Sequence, residues 1–156
     1  MTTTMTQATT EVKRAPAWLK KDFAFFESIT LRWADNDSYG HINNAHYYSF
    51  FDTAVDAFLL KYDLRKHLAG IRQTLVVASE CRYFKQVTAP GWIRVGVRVG
   101  KIGKSSITYE VAVFVDEYED AAAQGLFVHV CVERASQRPT LLPTELLDAL
   151  KHTRNS

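Results

Sequence analysis

The chain has 156 residues, 47% of them hydrophobic and 23% charged, with 19 Lys and Arg against 17 Asp and Glu. That is one domain's worth of chain, able to bury a core without staples and too apolar for disorder. A net charge of +2 asks for neither nucleic acid nor an anionic membrane as partner.

The two cysteines, Cys81 and Cys131, are far apart and lack CxxC spacing. They read as free thiols in strands, with no disulfide framework and no zinc site. No apolar stretch reaches the ~18 residues of a membrane span. Met1–Thr10 is Thr-rich without the apolar centre of a signal peptide. A cytoplasmic location is the expectation.

Residues 1–22 are polar and read as a loose tail, with a short turn near Ala17–Lys21; one domain is expected over 23–156. Ile29, Leu31 and Trp33 then alternate with Ser28, Thr30 and Arg32, the period of a half-buried strand. Asp35 to Asn44 is dense in turn formers and reads as a loop. A helix is expected from Asn44 to Tyr62, capped by Asn43 or Asn44, with Tyr47, Phe51, Ala54, Val55 and Phe58 on one stripe. Four strands follow: Leu75–Tyr83, Trp92–Val99, Ser106–Val115 and Gln124–Glu133. In the last, Leu126, Val128, Val130 and Val132 share a face, and His129 reads as a packed core or interface residue. A short helix from Pro143 to Lys151 closes the chain.

Strands joined by short connections predict an antiparallel meander. Its apolar face needs a cover, and the only long helix must supply it. The class is therefore α+β: a curved five-stranded antiparallel sheet wrapped round one long helix.

The loop before that helix gathers Asp35, Asp37, His41, Asn43 and Asn44 within ten residues. A helix start offers unpaired N–H groups and partial positive charge, which can hold the oxygen of a polarised carbonyl. A carboxylate nearby could attack that carbonyl or activate water. The same residues also suit plain turn and capping roles. His41 and His46 have no third ligand beside them, so no metal is expected. Asp52 and Asp56, one turn apart on the helix, are alternative carboxylates or a polar edge. Glu80 beside Arg82 reads as a cross-strand partner, and Gly100–Ser106 as a hairpin turn without Walker spacing.

The run Arg32-Trp33-Ala34-Asp35-Asn36-Asp37-Ser38-Tyr39-Gly40-His41-Ile42-Asn43-Asn44-Ala45-His46-Tyr47 resembles the signature of the hotdog-fold acyl-CoA thioesterases of the 4-hydroxybenzoyl-CoA thioesterase type. The resemblance covers about residues 26–150, including the element order. It implies hydrolysis of an acyl-CoA to free acid and coenzyme A, without a cofactor. It implies Asp37 as nucleophile or general base, a backbone N–H near Asn44 as oxyanion donor, and His41 and Asn44 as residues that line and order the loop. Asp35 looks structural. Tyr47 would line the acyl site, and Arg82, Lys101, Lys104 and Ser105 would contact coenzyme A. A homodimer or homotetramer with interfacial sites is implied. Tyr83-Phe84-Lys85-Gln86 lacks the Pro frequent in the family, and Trp92 follows Gly91 where Asp is frequent, which leaves aryl or fatty acyl preference open. A hotdog hydratase or dehydratase, or a non-catalytic acyl-CoA or lipid binder, are the rival functions.

Overall fold

The structure, a computed structural model, describes residues 15–154. Strand β1 is Phe25–Leu31, β2 Arg72–Tyr83, β3 Gly91–Ile102, β4 Ser106–Phe114 and β5 Ala123–Glu133. Helix α1 is His46–Lys61 and α2 is Thr144–Thr153. Short 3-10 turns lie at Lys20–Asp22, Trp33–Asp35 and Leu64–Leu68. Every strand pair is antiparallel, and the sheet order is β1-β3-β4-β5-β2. This is the expected curved sheet around one helix, the hotdog architecture.

The expected meander holds only from β3 to β5. β2 does not pair with β3, which follows it, but with β5 at the far edge. Residues 84–90 are spent on other partners. The Phe84 and Lys85 amides donate to the Ala122 carbonyl, and Val87 and Ala89 bond the loop before α1. A segment so committed crosses the end of the sheet instead of closing a hairpin.

The α1 stripe forms as the periodicity predicts: Tyr47, Phe51, Ala54, Val55 and Phe58 are buried, joined by Phe50 and Leu59. They pack on Ile93, Val95, Val97, Tyr109, Val111 and Phe127 from the sheet's concave face. Each such fully buried large side chain contributes about 1.5–3 kcal/mol. Gly125 permits the closest approach, because a Cβ there would run into the Glu80 carbonyl and the Phe51 ring.

One local expectation holds and two change. In β5 the helix-facing side chains are Phe127, His129 and Cys131, in register with Tyr109, Ile107 and Thr74. Leu126, Val128 and Val130 share the opposite face, as their alternation predicts, and His129 is packed as expected. Trp33 leaves the strand for the 3-10 turn and is exposed. Residues 15–22, expected loose, are docked. The Trp18 amide donates to Gln124 Oε1 at 2.6 Å, Leu19 bridges Asp120, and the Arg98 guanidinium stacks over the Trp18 ring. Residues 1–14 of the expected tail lie outside the described residues.

Candidate active site

The Asp35–Asn44 loop is built by its own polar side chains. Asp35 is buried, and three bonds tie it to Arg32: the Arg32 amide to Oδ2 at 2.8 Å, and Nε and NH2 to Oδ1 at 3.1 and 2.8 Å. The guanidinium's hydrogen bonds hold its carboxyl below the usual range, so it is a fixed anion. The Asp35 carbonyl accepts the Asn43 amide at 2.9 Å. Asn36 acts as a substitute strand partner: Nδ2 donates to the Ala89 carbonyl, and Oδ1 accepts the Ala89 amide, both at 3.1 Å.

Asp37 to His41 is a tight turn. The Asp37 amide donates to the His41 carbonyl at 2.7 Å, and the Gly40 amide to the Asp37 carbonyl at 3.1 Å. Gly40 has φ +79°, which favours glycine there. The Asp37 carboxylate is half-buried, its Oδ1 accepting the Tyr39 amide at 2.8 Å and the His41 amide at 3.4 Å. Its Oδ2 takes no partner among the described residues.

Asn43 organises the start of α1. Its Oδ1 accepts the Ala45 amide, and its carbonyl the His46 amide, both at 3.0 Å. Ala45 occupies the cap position without a side-chain bond of its own. The Asn44 amide is left without a partner among the described residues. The Asn44 carbonyl accepts the Tyr83 hydroxyl at 3.1 Å.

These elements enclose a cleft of about 330 Å³ lined by Asp37, His41, Asn44, Tyr47, Tyr83 and Val87, among others. Asp37, His41, Asn44 and Tyr47 are thus brought together. Burial pushes Tyr47 up to about 12 and raises Tyr83, so both hydroxyls stay protonated donors. Their rings meet edge to face at 5.1 Å. Tyr83 and Val87 escape sequence reading because they join the site only through the crossing segment. The signal available was parity: Tyr83 shares a face of β2 with Cys81.

The remaining sequence candidates lie elsewhere in the chain. Arg82 is on the opposite face of β2, in register with Gln124 and 3.8 Å from Glu80. Lys101, Lys104 and Ser105 sit at the β3–β4 turn, whose Gly103 amide closes on the Ser106 carbonyl. That is the far end of a twelve-residue strand, roughly 35 Å from its Gly91 end beside the cleft. Asp56 pairs with Arg65, and Asp52 lines a different cleft. Among the described residues, no three His, Cys, Asp or Glu side chains gather as a metal site. No described helix is long and apolar enough to cross a membrane.

An antiparallel sheet wrapped round one helix, with an Asp-bearing loop at the helix start, defines a hotdog-fold protein. Residues 31–150 match the model of the thioesterase-like superfamily. The chain belongs to that family, and so to the thioester hydrolases. It is similar to the PA5185 protein from Pseudomonas aeruginosa strain PAO1, with 46% identity and a TM-score of 0.79 over 88% of this chain and 96% of that one. It is also similar to a thioesterase from Thermus thermophilus solved with coenzyme A and Zn, at 27% identity and a TM-score of 0.73 over 87% of this chain and 98% of that one. Among curated proteins, the uncharacterized protein YsmA of Bacillus subtilis (strain 168) is 27% identical over 135 residues, covering 86% of this chain and 90% of YsmA.

Proposed function

We propose that the protein hydrolyses an acyl-CoA thioester to free acid and coenzyme A in the Asp37 cleft. The observation that carries this reading is the pairing of a pinned carboxylate with a free amide in one cleft. Asp37 is held through Oδ1 by two backbone amides, which leaves Oδ2 for the substrate side. The Asn44 amide, unspent in the turn that starts α1, is the donor for the thioester oxygen as it gains charge. Either Asp37 attacks the carbonyl carbon, the C–S bond breaks to release the thiolate of coenzyme A, and water then cleaves the resulting anhydride to free acid, or Asp37 takes a proton from a water that attacks directly with the same loss of thiolate. Tyr47 lines the acyl path, and His41 keeps the turn closed. The similar Thermus thioesterase was solved with coenzyme A, which supports this choice of thiol.

The working unit in this reading is a homodimer, with a tetramer as pair of dimers. β2 is a twelve-residue edge whose stretch Leu75–Glu80 is exposed throughout, and Leu75, Val76, Val77 and Ala78 are apolar. Such an edge pairs with a second copy unless it is blocked. Twofold pairing centred on that stretch brings the Tyr83 end of one β2 against the Arg72 end of the other. Lys101, Lys104 and Ser105 belong to the Arg72 end of the sheet. They would reach coenzyme A only in the partner's cleft.

Release of free thiol from a panel of short, long and aryl acyl-CoAs tests the reaction. Wild type should turn over at least one class, and Asp37→Asn should lose turnover while sedimenting as wild type does. An Asp37→Asn protein of near wild-type activity overturns the assignment of Asp37. Val77→Lys should shift the sedimenting species toward the 17.7 kDa monomer; an unchanged dimer overturns the β2 interface.

A further inference from the structure

A second cleft, of about 340 Å³, opens between α1, the Leu64–Leu68 turn, β2 and β5. It is lined by Arg65, Arg72, Arg134, His129, Thr74 and Asp52, among others. Its polar groups are poorly satisfied. His129 is 7% exposed, and both ring nitrogens are buried without a partner among the described residues. Arg72 Nε is likewise buried and has no partner among them. Native proteins leave few such atoms, and each calls for a partner such as a bound water or ion.

The charges narrow the ligand. Arg65 is paired with Asp56 on α1. Arg72 and Arg134 have no carboxylate within ion-pair distance among the described residues, and Arg134 Nε donates only to the Arg72 carbonyl at 3.3 Å. Two guanidiniums without a carboxylate at ion-pair distance and an imidazole N–H, set against the Asp52 carboxylate of the same lining, call for a compact, acceptor-rich anion. A planar carboxylate offers two oxygens in one plane, whereas a phosphate group offers acceptor directions to all three donors at once.

We propose that this cleft is a phosphate-group site, with Arg72 and Arg134 as charge partners and His129 as the buried donor at its floor. His129 suits the role as a neutral ring. Burial and the nearby Arg65 push it down to about 4, so it keeps one N–H to donate. The ring is held edge-on to Tyr109 at 5.2 Å and tilted against Phe127 at 5.5 Å, which fixes its direction. The phosphate group is either free or part of a small ester, or it belongs to a coenzyme A seated in the partner's Asp37 cleft. The second source rests on the dimer reading above; the site itself does not.

The test follows the His129 ring resonances by NMR while inorganic phosphate, and separately coenzyme A, is added at constant ionic strength. Wild type should show a saturable shift. Arg134 is exposed, so Arg134→Gln should fold normally and weaken binding at least tenfold, as should Arg72→Gln. Lys151→Gln, on the exposed face of α2, should bind as wild type does. Coenzyme A binding at tenfold lower concentration than phosphate assigns the site to the substrate's own phosphates. Comparable affinities assign it to a separate phosphate or ester. No saturable shift with either probe, or equal binding by wild type and Arg134→Gln, overturns the proposal. Because the readout is binding at His129, it stands whether or not the thioester is hydrolysed.

Discussion

The two clefts treat buried polar groups in opposite ways. In the loop before α1, buried Asp35 has three hydrogen bonds and Asn36 has two, and the backbone of Asp37 is bonded at both its amide and its carbonyl. In the cleft behind β2, both nitrogens of His129 and Nε of Arg72 are buried with no partner among the described residues. The first region spends its polarity on shape and leaves one carboxylate oxygen and one backbone amide uncommitted. The second holds its shape by apolar packing and leaves its polarity unspent. Satisfied polar groups build a site; unsatisfied ones ask for an occupant.

Substitutions can break this contrast at each end. The largest effect belongs to Asp37→Asn, which keeps the turn's size and removes the charge. Turnover should fall roughly 10²–10⁴-fold, as for a lost acid–base group, with little change in melting temperature. Steady-state kinetics beside a thermal melt separates the two.

His129 gives the next effect. Its folded value of about 4 lies below the 6.5 of a free imidazole. Between those values the unfolded chain takes up a proton that the folded chain refuses. Stability is therefore full above pH 6.5 and falls as pH drops toward 4, by about 3 kcal/mol for this one group. Urea unfolding at stepped pH should show that slope in wild type, and His129→Phe should lack it. A slope that survives the substitution assigns the acid sensitivity elsewhere.

Asp35→Asn is the smaller, structural counterpart. Its carboxyl is held down by Arg32, so its contribution is present above the ordinary Asp pKa and lost as pH falls below it. At neutral pH the substitution should cost about 1–2 kcal/mol of stability, discounted because the Arg32 side chain is largely exposed. Turnover should fall far less than in Asp37→Asn. Equal losses of turnover would merge the two aspartates into one functional unit.

Much of the candidate site's geometry was legible because it is local. Asp35, Asp37, His41 and Asn44 lie in one short run, and turn chemistry between near neighbours fixes their geometry. The helix was legible for the same reason, since its stripe of Tyr47, Phe51, Ala54, Val55 and Phe58 repeats at the helical period. The strands were legible to within a few residues by their alternation. Sequence alone also set the class, one helix against five strands.

The tertiary structure decided what depends on partners far along the chain. Which edge β2 joins was set by residues 84–90, whose amides are taken by Ala122 and by the loop before α1. Which face of β5 is core was set by register, because apolar residues occupy both parities and only pairing with β4 and β2 distinguishes them. The meeting of Tyr83 with Asn44, and of Arg72 with His129 and Arg134, joins residues far apart along the chain. No local pattern encodes such meetings. They follow once a helix and a sheet close over one core, because burying the apolar faces dictates where the polar side chains finish.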